Sequence, residues 1–194
     1  MSDGPMMIML LVAGIALVLA VIVLSARKRR ARRSAELREH FGPEYHRALE
    51  EHGDQERAER ELLARKRRLD DLDIVLLSPE QCDTFSAAWA EVQLRFVDDP
   101  RGAVHEADIL VKDVMKARGY PMGNFEQRVA DLSVKHANVV DHYRAARSIA
   151  TASASGQAET EDLRQAMVHY RALFHDLLQS HAPAQPPALR QAHA

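Results

Sequence analysis

The sequence predicts an all-α protein: one N-terminal transmembrane helix, then a long charged helix and a small helical bundle. Three observations predict it. Met6 to Leu24 are nineteen consecutive residues without a charge. Six basic residues follow almost at once, Arg27, Lys28, Arg29, Arg30, Arg32 and Arg33. Beyond them, apolar residues recur at spacings of three and four between helix caps, with no alternating strand pattern.

The apolar run is long enough to span. At about 1.5 Å per residue it reaches about 28 Å, close to the roughly 30 Å hydrocarbon core of a bilayer. A helix satisfies its own backbone, as hydrocarbon requires. A cleaved signal peptide fits less well, because Met1-Ser2-Asp3-Gly4-Pro5 carries no basic residue and Leu24-Ser25-Ala26 is a poor cleavage site. A core helix apolar on all sides is more than a small soluble domain can cover.

Basic flanks stay cytoplasmic, so the short N-terminus is expected outside and the chain from about residue 27 inside. The expected organisation is an anchor over 1–26, a basic juxtamembrane collar over 27–35 and a charged helical stalk over 36–77. A helical bundle over 78–179 and a disordered tail over 180–194 complete it. The single cysteine, Cys82, permits no intramolecular disulfide, in keeping with a cytoplasmic domain.

Charge divides the chain. It holds 26 Lys and Arg against 28 Asp and Glu. Setting aside the six collar residues and Asp3 leaves 20 against 27, a balance of about −7. The collar residues attract anionic lipid headgroups, roughly 1 kcal/mol each near the surface. The acidic remainder argues against nucleic acid as a partner.

Helix signals then run in order. Gly42-Pro43 reads as a start, and Asp54 can cap the next helix. In the charge-dense segment 55–72, Glu56–Arg60 and Glu61–Arg65 are favourable i,i+4 pairs. Its seam of Ala58, Leu62, Leu69 and Leu72 is thin, and the heptads are too few to establish a coiled coil. Ile74 to Leu77 reads as an extended connector. Ser78-Pro79-Glu80-Gln81 is a capping-box start, followed by an apolar face of Phe85, Trp89, Val92 and Phe96. Asp99-Pro100 opens a helix whose inner face holds Val104, Ala107, Val111 and Val114. Gly119 closes it. Asn124 caps a helix carrying Phe125, Val129 and Leu132, and Val139, Tyr143, Ala146 and Ile149 mark another over 138–150. Residues 152–159 read as a flexible loop. Thr160 is expected to cap the last helix, with Leu163, Met167, Tyr170, Phe174 and Leu177 in the core.

The chemistry is sparse. No zinc-spaced histidine pair, Cys-x-x-Cys, phosphate loop or nucleophile elbow is present. His136 and His142 are six residues apart, as are His169 and His175, which puts each pair on different helix faces. His105 and Asp108 share a face at i,i+3. No catalytic residue, cofactor or metal is therefore expected. Arg118, Tyr120, Phe125 and Arg128 surround a tight turn and are the expected partner-contact surface.

Phe41-Gly42-Pro43-Glu44-Tyr45, Ser78-Pro79-Glu80, Trp89 with Val92-Gln93 and Arg95-Phe96-Val97-Asp98 resemble a family of uncharacterised bacterial single-pass membrane proteins. So do Glu106-Ala107-Asp108, Arg118-Gly119-Tyr120-Pro121, Ala130-Asp131-Leu132-Ser133 and Glu161-Asp162-Leu163-Arg164. The resemblance covers roughly 41–178. It implies the domain limits and bacterial origin and supplies no catalytic residue; with a bacterial origin, the anchor and its basic flank lead to an expected inner-membrane location. Ala137 stands after His136, where such proteins often carry proline. The expected function is a membrane-anchored cytoplasmic adaptor or scaffold that binds a protein partner or itself. The alternatives are an enzyme with a polar site near His105, Asp108 and His142, and a lipid or envelope-stress sensor acting through the collar.

Overall fold

A computed structural model describes residues 3–179, and of these the side chains of 3–13, 15 and 16 are outside the description. The described residues form eight helices and no strand. They are α1 (Asp3–Phe41), α2 (Pro43–His52), α3 (Gln55–Asp70), α4 (Pro79–Arg95), α5 (Pro100–Ala117), α6 (Phe125–Lys135), α7 (Val140–Ala154) and α8 (Thr160–Gln179). The all-α expectation holds. Among the described residues no helix is long and apolar enough to cross a membrane. The expected span begins at Met6, so much of it lies outside the described side chains, as does the whole expected tail over 180–194. Two compact units divide at Leu62 and Leu63, inside α3.

The first unit forms where α1 ends. Gly42 has φ +49, a positive value that glycine adopts readily and that ends α1, and Pro43 pre-sets the first turn of α2. Leu37, Phe41, Tyr45, Ala48, Ala58 and Leu62 are buried. Ala58 and Leu62 belong to the thin seam read from the sequence. Asp54 caps α3 through the Arg57 N–H at 2.9 Å. Inside this unit Glu59 is 6 % exposed and accepts from the Tyr45 hydroxyl at 2.9 Å and from Gln55 Nε2 at 2.8 Å. Burial pushes its carboxyl up, but hydrogen bonds from Gln55, Ser34 and Tyr45 outweigh that and hold it below the usual glutamate value.

In the second unit α5 packs on α4, α7 and α8, and α8 packs on α5 and α7. Val104, Ala107, Val111 and Val114 of α5 are fully buried, as the spacing requires. Trp89 stacks on Phe174 of α8 with ring centres 4.8 Å apart and planes at 21°. Caps fall where the sequence places them: Ser78 and Gln81 form the reciprocal box on α4, Asp99 accepts from Gly102 N, and Asn124 accepts from Gln127 N.

Two boundaries differ from expectation. α7 runs to Ala154, because Thr151 and Ser155 hydroxyls bond back to Arg147 and Ala152 carbonyls. Gly156, with φ +75, closes it through Gln157 N to Ala152 O at 2.8 Å and Gly156 N to Ser153 O at 3.0 Å. Thr160 is not a cap. Glu159 holds that position, its N–H reaching Asp162 Oδ2 at 2.9 Å.

Gly119 ends α5 by the same motif, with Tyr120 N donating to Met115 O and Gly119 N to Lys116 O, both at 3.0 Å. Its φ is +88, and a Cβ there would lie 2.5 Å from the Asp73 carbonyl oxygen. Gly119→Ala is therefore expected to lower stability to urea by about 1–3 kcal/mol from backbone strain, with the clash adding to it. Gly156→Ala, where φ is +75 and the Cβ meets nothing within 4 Å, is the matched control and should show the strain without the clash.

Candidate functional site

A helix bundle this size needs few buried polar groups, yet the second unit holds a connected set. Asp108 faces inward from α5 and is 3 % exposed. Its carboxylate accepts from Tyr170 Oη at 3.0 Å, Lys112 Nζ at 2.5 Å and Arg147 Nη1 at 3.1 Å. One acid thus bonds α5 to itself, to α7 and to α8. Burial pushes the Tyr170 phenol well above its ordinary value, and the charge of Asp108 pushes it further. The same Asp108 forms one wall of a cleft of about 520 Å³ with Arg101, His105, Arg147, Thr151 and Ser153. His105 and Asp108 do share a face. The oxygens of Asp108 are already bonded to three donors.

The expected contact surface is placed differently. Arg118, Tyr120 and Arg128 are buried, and Phe125 is half-buried against Tyr143 with ring centres 5.1 Å apart. The expectation of an exposed patch is corrected accordingly. Arg118 Nη1 donates to the Leu177 carbonyl at 2.8 Å, and its own carbonyl accepts from Val75 N at 2.9 Å. Arg128 Nε donates to Tyr143 Oη at 3.0 Å. Tyr120 bonds His136 Nε2 at 2.9 Å, and the other ring nitrogen of His136 meets Asp176. Burial pushes the Tyr120 phenol up to about 12. Such side chains hold the chain reversal after α5 against α6 and α8. Sequence spacing alone reads them as exposed because long polar side chains cluster there.

Asp131 repeats the pattern. It is fully buried on α6, where burial pushes its carboxyl up, and it accepts from Arg68 Nε at 3.1 Å and Gln127 Nε2 at 3.2 Å.

The histidines pair across helices. His142 of α7 and His169 of α8 set their Nδ1 atoms 2.8 Å apart, with ring centres 5.1 Å apart. At that distance one Nδ1 donates its hydrogen to the other, which must carry a free lone pair to accept it. His142 is not among the residues that line the cleft holding His105 and Asp108. Among the described residues no group of three His, Cys, Asp or Glu is placed to hold a metal ion. Cys82 is half-buried and free.

The collar residues Arg27, Lys28, Arg29, Arg30, Arg32 and Arg33 are all exposed on α1. Arg30 pairs with Glu56 of α3 at 2.9 Å. Arg29, Arg30 and Arg33 line a cleft of about 460 Å³ with Glu56, Glu59 and Arg60. Sequence reading missed Arg60, which lies 27 positions beyond Arg33 and is brought there by the α1–α2 turn.

Asp108→Ala is expected to cost about 1–3 kcal/mol, because it leaves the buried Tyr170 hydroxyl without an acceptor. Adding Tyr170→Phe should cost less than the sum of the two singles, a coupling that a urea-denaturation double-mutant cycle measures.

The histidine pair makes a pH prediction. Burial, then the neighbouring His142, holds His169 below the ordinary imidazole value of 6.5. The unfolded chain then binds more protons, so this contribution is present above the unfolded value and lost as pH falls through the folded one. Stability measured from about pH 8 to pH 5 should fall less steeply in His169→Gln than in the native chain.

No protein-family model matches the chain, and no curated protein or solved structure is significantly similar to it. The bacterial likeness drawn from Phe41 to Arg164 gains no support from these comparisons.

Proposed function

We propose that this chain is a membrane-anchored adaptor or scaffold, held in a bacterial inner membrane by the helix over Met6–Leu24 with its helical units in the cytoplasm. One observation carries the reading. Leu17, Val18, Leu19, Val21, Ile22, Val23 and Leu24 of α1 are each between 49 % and 67 % exposed, and Arg27 follows within one turn. Seven large apolar side chains left uncovered around a helix mark a surface that something else covers. An apolar run that goes all round the helix and ends in a block of arginines suits lipid better than a protein groove.

The adaptor role draws support from the second unit. Its buried acids and tyrosines are each bonded to a polar side chain, Asp108 to Tyr170, Asp131 to Arg68, Tyr143 to Arg128 and Tyr120 to His136, as in a rigid platform. Leu94 and Val97 are 67 % and 81 % exposed at the end of α4, beside Phe96. These apolar side chains face outward where a protein partner, or a second copy, gains from covering them.

A small-molecule enzyme is the second reading. The α5–α7 cleft favours it, because Arg101, His105, Arg147 and Thr151 share one concave surface. A small anion retained by the purified protein and lost in Arg147→Ala would decide for that reading.

The membrane claim predicts that the full-length protein stays in the pellet after alkaline carbonate extraction, and that a C-terminal reporter is active only in the cytoplasm. Release by carbonate would sink it. The adaptor claim predicts that crosslinking in native membranes yields one reproducible partner or a homodimer, abolished by Leu94→Glu with Val97→Glu. Crosslinks unaffected by that pair would sink the contact surface.

A further inference from the structure

The collar read as sequence is a diffuse basic zone. Folded, it has a directional site. Arg29 and Arg33 lie at i and i+4 on one face of α1, and Arg60 of α3 lines the same cleft. The two acids that share it are occupied. Glu56 pairs with Arg30 at 2.9 Å rather than with Arg60, the i,i+4 partner that spacing alone gives it, and Glu59 is bonded by Tyr45 and Gln55. Arg29, Arg33 and Arg60 have no bonded carboxylate among the described residues. Four guanidiniums against two carboxylates leave the cleft at +2.

Like charges at i,i+4 on a helix repel. A third cation brought from another helix adds to that cost, and an anion with several oxygens removes it. Guanidinium forks match phosphate oxygens bidentately.

Depth identifies which phosphate. The apolar run ends at Leu24, so the Arg29 backbone lies about 7.5 Å and that of Arg33 about 13.5 Å further along a continuous helix, the latter within reach only of a side chain that bends back. The headgroup layer on each side of the hydrocarbon is about 5–8 Å thick, and arginine side chains bend their charged ends toward the interface.

We propose that Arg29, Arg33 and Arg60 together bind the phosphate of one anionic phospholipid, so that α3 as well as the anchor engages the inner leaflet. The proposal rests on the membrane reading above. Arg60 is the telling residue: it belongs to no anchor or collar, and neutralising it leaves the topology signal of residues 27–33 intact.

The test uses the full-length protein in nanodiscs of phosphatidylcholine, with and without phosphatidylglycerol, read by native mass spectrometry after partial delipidation. The native chain should retain one phosphatidylglycerol. Arg60→Gln should weaken that retention about tenfold, the expected loss for one charge-assisted contact. Arg57→Gln, exposed on the same helix and outside the cleft, should leave it unchanged. Equal loss in Arg57→Gln, or no loss in Arg60→Gln, would show a diffuse collar and overturn the site. So would glycerol phosphate binding the phosphatidylcholine sample as tightly, since the ligand would then be a free anion. Failure of the anchor itself shows separately, as release by carbonate before any lipid is counted.

Discussion

The second unit depends on one buried charge. Asp108 lies in the helix that touches α4, α7 and α8, and it accepts from donors on two of those partners as well as its own helix. A carboxylate removed from water is costly unless its oxygens are bonded, and here three donors bond them. The apolar face of α5, with Val104, Ala107, Val111 and Val114, supplies the burial that drives packing. Apolar faces slide and rotate at small cost. The Asp108 contacts do not, because any shift of α7 or α8 strands a charge or a hydroxyl. Packing makes the bundle compact, and the acid fixes which arrangement of helices it takes.

The same device recurs. Glu59 in the first unit is gripped by Tyr45 and Gln55, and Asp131 in the second by Arg68 and Gln127. In each case an acid sits at a position that helical spacing alone assigns to solvent. Each is reached by a tyrosine, arginine or glutamine from a neighbouring turn or helix. Charge-dense stretches such as 55–72 are thus less solvated than their composition suggests, and their seam of Ala58, Leu62 and Leu69 is covered.

What was legible in the sequence follows a physical rule. Local signals were readable: the Ser78–Gln81 box, the Asp99 and Asn124 caps, the left-handed Gly119 and the apolar face of α5 need only neighbours within a turn. Boundaries set by weak local signals were not. α7 continues through small residues because hydroxyls and Gly156 close it further on, and α8 starts with Glu159 rather than Thr160 at the cap. Long-range pairings were invisible. Nothing in the sequence brings His142 to His169, or Arg60 to Arg29, since those meetings depend on how helices return. The contact surface around Arg118, Tyr120 and Arg128 was misread for the same reason: their partners, Leu177, His136 and Tyr143, come from other helices.

The chain contains a single tryptophan, Trp89, and it is buried face to face with Phe174 in the second unit. The first unit has none. Intrinsic indole fluorescence is therefore a private channel onto the bundle, silent to whatever the collar and its helices do. A red shift of that emission reports loss of the α4–α8 interface, whereas circular dichroism weighs both units by their helix content. Disagreement between the two signals along one denaturation curve would mean that the units melt independently, and coincidence would mean that they melt as one.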